Sequence, residues 1–398
     1  MTAFDPTATL PGPPEPWTET DTPTPRDGPP YHMTDMIAAE PFIARRVLGR
    51  LARADSAAVR LAAAVRDAAR GGRPIVVTGC GTSEHGALGT VDILAEALTI
   101  AGIPAMGLTA AQAFELALDP PASGLVIGIS HEGATQATND ALRASRDAGA
   151  SVALVTVSAR SPGAALVDPD LVVETGELDT SWCHTVGYLS PLLVAAAVGG
   201  HLTGRVPDPD AVGDLFASSA GDSAAAERIA GELAQISGLI VIGSGADRTA
   251  GRELTLKVEE ASWLPTAYRD LETLLHGHLP ATGERTGLIV VATDRRARSQ
   301  RMARARNALA AARVVGTRVA AIVSAEADRL LPADAAPAGR LVIPEADALP
   351  APVASLIGSA AALQLLTERI ARARGTNPDP IRRDDPRYRA AAEAASGD

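Results

Sequence analysis

Hydrophobic residues along this chain gather into short continuous runs separated by stretches of helical period. Pro74–Thr78, Gly124–Ile129, Ser151–Val157 and Leu171–Val173 are such runs, rich in β-branched side chains. Consecutive apolar positions suit strands covered on both faces, as in a parallel sheet. The intervening helices, such as Thr135–Ala148, then supply the crossovers of βαβ units. Ahead of the first run, a helical pattern passes through Met36, Ile37, Phe42, Ile43, Val47, Leu48 and Leu51. Residues 1–30 are dense in Pro, Thr, Asp and Glu and show no period, which predicts a disordered or loosely draped arm.

The pattern recurs. Gly243 follows Leu239–Ile242 as Gly79 follows Ile75–Thr78, Thr293 ends Leu288–Ala292 as Ser130 ends Leu125–Ile129, and Gly316 precedes Val319–Val323 as Gly149 precedes Val152–Val157. The three offsets are 164, 163 and 167 residues. This near-constant spacing predicts two copies of one doubly wound α/β unit, over 31–205 and 221–374. A linker over 206–220 joins them and a tail over 375–398 follows. One large Rossmann-like sheet is the alternative.

Composition narrows the functional classes. A chain of 398 residues that is 46% hydrophobic is long enough for two packed domains. No apolar run reaches the roughly 20 residues of a membrane span. The formal charge of −11 argues against a broad nucleic-acid or anionic-membrane surface. With two cysteines and no signal-like opening segment, the expectation is a soluble cytoplasmic protein. Lys257 is the single lysine against 35 arginines, so whatever keeps it there resisted a strong bias.

Candidate chemistry clusters at the strand ends. Gly79-Cys80-Gly81-Thr82-Ser83 follows the first strand and opens a helix, where small residues and unpaired N–H groups admit an anion. Ser130-His131-Glu132-Gly133-Ala134-Thr135 does the same after a neighbouring strand. Two such turns converge where doubly wound sheets bind ligands. Five of the seven histidines (His85, His131, His184, His276 and His278) and both cysteines lie in these and related segments. A metal site is the competing reading, but Cys183-His184 and His276-x-His278 lack structural-zinc spacing.

The two turns resemble those of the sugar isomerase (SIS) domain family, and the chain is similar over about 31–390 to the isomerase half of glucosamine-6-phosphate synthases. His32–Pro41 resembles the segment ahead of the first SIS domain. Leu256-Lys257-Val258-Glu259-Glu260-Ala261-Ser262 resembles the active-site helix, His276-Gly277 its downstream His-Gly pair, and Gly375-Thr376-Asn377-Pro378-Asp379 the tail. The resemblance implies two tandem flavodoxin-like SIS domains in a homodimer that binds a small-molecule sugar phosphate. It implies a pocket lined by Cys80, Gly81, Thr82, Ser83, Ser130, His131, Glu132, Thr135, Trp182, His184 and Thr185. It also implies Glu260 as the C1–C2 proton shuttle, Lys257 beside it, and His276 as the ring opener supplied by a partner subunit. Glu259 and Glu253 on the same helix are the reserve carboxylates. No organic cofactor and no metal is required.

Three departures qualify these expectations. Thr2 stands where the synthase carries its glutaminase cysteine, and no glutaminase domain is expected. No lysine follows Lys257, and an ungapped reading puts Pro386 at the tail lysine's place, which excludes Schiff-base chemistry from the tail. Glu132 replaces a small hydroxyl residue of the phosphate cradle. Either it points away, or His131 or an arginine compensates it, or the ligand is not a simple 6-phosphate. The expected activity is aldose–ketose isomerisation or deamination of a phosphosugar or amino-sugar phosphate. An ammonia-dependent amino-sugar phosphate synthase and a non-catalytic sugar-phosphate sensor are the alternatives.

Overall fold

The computed structural model describes residues 4–13 and 26–396, and its ten strands form two five-stranded sheets in which every pairing is parallel. The first half runs α1 (His32–Leu51), α2 (Ala57–Arg70), β1 (Ile75–Gly79), α3 (Thr82–Ile100), β2 (Leu108–Gln112) and α4 (Ala113–Leu118). It continues with β3 (Leu125–Ile129), α5 (Gln136–Ala148), β4 (Ser151–Thr156), β5 (Val172–Glu174) and α6 (Val186–Thr203). The second half runs α7 (Pro209–Ser219), α8 (Ser223–Leu233), β6 (Gly238–Gly243), α9 (Asp247–Ser262), β7 (Thr266–Asp270) and β8 (Thr286–Ala292). It closes with α10 (Arg298–Val314), β9 (Arg318–Ser324), α11 (Ala325–Arg329), β10 (Gly339–Ile343), α12 (Ala351–Arg374) and α13 (Pro386–Ser396).

Strand orders β2-β1-β3-β4-β5 and β7-β6-β8-β9-β10 are the same topology. In each sheet the order reverses between the first and third strands, which opens a crevice at their carboxyl ends. α3 packs on the first sheet, α9 on the second, and the two helices pack on each other. The halves therefore share one core, in which Leu98, Leu192, Val258 and Leu356 are fully buried.

Four features differ from the sequence expectation. Three of the four edge strands, β2, β7 and β10, carry no continuous apolar run, because each keeps exposed or half-buried positions. Residues 206–220, expected as a linker, are mostly α7, whose start is capped by Asp208 accepting from the Asp210 N–H and whose Val212, Leu215 and Phe216 are buried. In the expected loose arm, residues 4–13 hold a defined place: the Leu10 N–H donates to Glu177, Arg46 donates to the Thr7 carbonyl, and Leu10 is buried. Residues 1–3 and 14–25 of that arm lie outside the described residues. Finally, α6 and α12 are long and apolar enough to cross a membrane by length and composition, yet their apolar windows are 89% and 94% buried inside the protein.

Candidate functional site

The turns after β1 and β3 meet at the first switch point. Gly79 permits the first turn, since a Cβ there would sit 2.7 Å from the Ser83 carbonyl group. Gly81 then starts α3 at φ +57°, a conformation that favours glycine. Cys80 Sγ lies 3.7 Å from Thr138 Oγ1 on α5, and Ser130 Oγ donates to Thr135 Oγ1 at 3.3 Å. Neither Gly81 nor Thr135 caps its helix with a side-chain hydrogen bond. Because β1 and β3 are neighbours, the two helix starts, with Thr82, Ser83, Ser130 and Thr135, lie side by side at the carboxyl edge of the sheet, an arrangement suited to an anion.

The second switch point is built differently. Asp294 accepts from the Ala246 N–H at the start of α9 and pairs with Arg296 and Arg301 at 2.7 and 2.8 Å. Asp247 accepts from the N–H groups of Thr293 and Asp294 and from the Ser355 hydroxyl. The chain's own carboxylates occupy this switch point, where the first carries Ser130 and Thr135. A void of about 10 Å³ remains beside them.

His131 braces the loop beside the site. It is buried, and its Nε2 accepts from the Asp179 N–H at 2.9 Å, so its proton sits on Nδ1. Burial, and then the neighbouring His184, push it down to about 4, while Asp179 opposes them. It is therefore neutral near pH 7 and cannot serve as the cation that compensates Glu132. Asp179 in turn accepts from the N–H groups of Ser181, Thr185 and Gly187, which fixes the 179–185 loop at the head of α6. His184 meets the His131 ring edge-on at 5.4 Å, and Arg383 of the tail lies over Trp182 at 4.7 Å.

This burial has a measurable consequence. Unfolded His131 titrates near 6.5 and the folded form near 4, so the unfolded chain binds the extra proton between those values. Stability is whole above pH 6.5 and falls as pH drops towards 4, by up to about 3 kcal/mol at 1.4 kcal/mol per unit. Urea unfolding of His131→Gln should show a flatter acid limb than wild type over that window. Equal slopes would mean that His131 is not the buried neutral group.

The other wall is a face of α9. Glu253, Lys257 and Glu260, spaced four and three residues apart, project together. Lys257 Nζ lies 2.5 Å from Glu260 Oε2 and 3.8 Å from Glu253 Oε1. Their side chains are 0% exposed for Lys257, 1% for Glu253 and 22% for Glu260. Burial alone would favour a neutral amine, but Glu260 and Glu253 hold Lys257 above the ordinary lysine value. Across the gap, His85 Nδ1 on α3 is 2.7 Å from Glu253 Oε2, and Thr82 Oγ1 donates to Glu253 at 3.4 Å. Glu259 turns away and accepts from the Thr266 N–H.

Sequence reasoning placed Lys257 and Glu260 together and kept Glu253 in reserve, but it gave His85 no role. The available signal was its position three residues after Thr82 in the motif helix. Burial pushes both thiols up, Cys183 most strongly, so neither cysteine is an activated nucleophile. His276 is not brought to this face: it is 68% exposed and bonds Glu272, which also holds Arg304. In the tail, Arg382 lies between Trp263 and Tyr388 at 4.5 and 4.0 Å. Among the described residues no His, Cys, Asp and Glu group is arranged to hold a metal ion.

The architecture is the α/β fold of two SIS domains. It is shared with the C-terminal domain of glucosamine-fructose-6-phosphate aminotransferase from Francisella tularensis, at 18% identity, 89% coverage of this chain, 99% of that one, and a TM-score of 0.73. Tagatose-6-phosphate ketose/aldose isomerase from Escherichia coli matches at 19% identity, 90% and 97% coverage and a TM-score of 0.68. Glucosamine-6-phosphate deaminase from Thermotoga maritima matches at 15% identity, 88% and 97% coverage and a TM-score of 0.61. At these identities the likeness is one of fold. No family model matches the sequence, and no curated protein matches it.

Proposed function

We propose that the protein is a phosphosugar isomerase of the SIS type, acting on an aldose, ketose or amino-sugar phosphate through an enediol or enediolamine. The observation that carries this reading is the pair of neighbouring strand-to-helix turns that bear Thr82, Ser83, Ser130 and Thr135, with Thr82 bonded to Glu253 beside the Lys257–Glu260 pair. The turns take the phosphate. Glu260, the most exposed carboxylate of the α9 face, removes a proton from one of C1 and C2 and returns it to the other. Lys257 holds that carboxylate in place and offsets charge as the enediol forms. NMR of fructose 6-phosphate, tagatose 6-phosphate and glucosamine 6-phosphate in D₂O tests the reading. Exchange of the C1 or C2 hydrogen is expected with at least one, and none with any would sink it.

A shared site in a homodimer belongs to the same proposal. It is supported by the exposure of His276, whose bond goes to Glu272 and not to the α9 face. Mixing Glu260→Gln chains with His276→Ala chains under subunit exchange should return about a quarter of wild-type activity, since half the dimers of a two-fold assembly then hold one intact site. No recovery, with exchange verified by mass, would count against a shared site.

Glu132, half-buried at the head of α5, sets the ligand's character in this reading. A carboxylate about 4 Å from a phosphate dianion opposes it by several kcal/mol at an effective dielectric near 20. Glu132→Ser should therefore tighten binding of fructose 6-phosphate and inorganic phosphate, measured calorimetrically at fixed pH and salt. Unchanged affinity would show that Glu132 faces away from the pocket.

A further inference from the structure

We propose that His85 is the second acid–base group of this site, oriented by Glu253 and moving the hydroxyl protons of an open-chain sugar while Glu260 moves the carbon-bound one. The inference rests on the isomerase reading above and adds to it a residue that the sequence left without a role.

His85 lies in the first turn of α3, which follows the carboxyl end of β1, with its side chain 13% exposed. Glu253 meets three donors: His85 Nδ1 at 2.7 Å, Thr82 Oγ1 at 3.4 Å and Lys257 Nζ at 3.8 Å. An ionised carboxylate only accepts, so the proton of the short bond resides on Nδ1. Nε2 is then the atom that gains and loses a proton, and it has no hydrogen-bond partner among the described residues. A buried carboxylate fixing one nitrogen and leaving the other for the reacting group is a general way of orienting an imidazole.

Isomerisation through an enediol needs two proton transfers at carbon and two at oxygen. Glu260 takes the proton from C2 as Nε2–H of His85 gives its proton to O1, and the enediol forms. Nε2 then takes the O2 proton as Glu260 returns its proton to C1, which leaves the ketose. Both groups end in their starting states, and no other reactant is required.

The neighbours are unsuited to the oxygen transfers. Lys257 is pinned between two carboxylates and stays charged. His131 has Nε2 occupied by the Asp179 N–H, and His276 is engaged with Glu272 at the surface. The Thr82 hydroxyl points to Glu253. His184 packs on His131 and holds no carboxylate.

The test uses the full chain and whichever of fructose 6-phosphate, tagatose 6-phosphate or glucosamine 6-phosphate the wild type turns over. His85→Gln keeps a donor for Glu253 and loses the titrating nitrogen. It should unfold at the wild-type urea concentration, bind the sugar phosphate as wild type does, and turn over about 10²-fold more slowly, the usual loss for an acid–base group. His85→Ala should be equally slow and should recover at least about tenfold with added imidazole, a rescue that a purely structural role does not give. Wild-type turnover in His85→Gln, or no imidazole rescue of a folded His85→Ala, overturns the role of His85 and leaves the isomerase reading intact. A wild type that exchanges no hydrogen with any of the three sugars overturns that reading, and the role of His85 with it.

Discussion

Replacing Lys257 by methionine is expected to lower the unfolding free energy by about 3–5 kcal/mol, the usual cost of removing one partner of a buried ion pair. The side chain is fully enclosed, and its ammonium stands between Glu253 and Glu260. Without it, two carboxylates face each other with little water to screen them. Arginine is no substitute, because a planar guanidinium needs room that a fully packed lysine does not leave. This accounts physically for the one lysine that a strongly arginine-biased chain keeps. Urea unfolding of Lys257→Met supplies the measurement. Adding Glu253→Gln and Glu260→Gln to the same chain should return most of the loss, since the stranded charges go with them. Unfolding of the single variant at the wild-type midpoint would mean that the pair contributes nothing.

The central strands were readable because both of their faces are covered, so β1, β3, β4, β6, β8 and β9 spell themselves as apolar runs. The edge strands β2, β7 and β10 have polar or half-buried positions and carry no such signature. The site divides in a similar way. Its turns announce themselves through glycines and hydroxyls, and Lys257 and Glu260 share a face by helical spacing alone. The bond from His85 to Glu253 spans 168 residues and exists only because α3 packs on α9. No local pattern encodes it. The same holds for His131, whose partner is a backbone N–H at position 179, invisible to any reading of side chains.

The two halves differ at their switch points. Both have the same strand order and a helix starting after their first strand. In the second, Asp294 and its two arginines satisfy that helix start from within. In the first, the corresponding turn carries Ser130 and Thr135, and the Ser130 hydroxyl donates to Thr135. Chemistry is therefore expected only at the first switch point, with α9 of the second half contributing its carboxylates across the shared core.

Glu260→Gln should reduce turnover by about 10²-fold or more and leave binding nearly unchanged. Glutamine preserves the shape of the side chain and a carbonyl oxygen for Lys257, so the α9 face stays assembled. What it removes is the ability to carry a proton from carbon, which hydrogen bonding cannot replace. Glu260 is the carboxylate with access to a ligand, being 22% exposed where Glu253 is 1%. Two readouts separate the step from its surroundings. Calorimetric affinity for the sugar phosphate reports the pocket, and exchange of the C1 or C2 hydrogen in D₂O reports the shuttle. Intact affinity with lost exchange assigns the proton transfer to Glu260. Exchange that persists at the wild-type rate would move it to Glu253, whose own Gln variant would then have to abolish it.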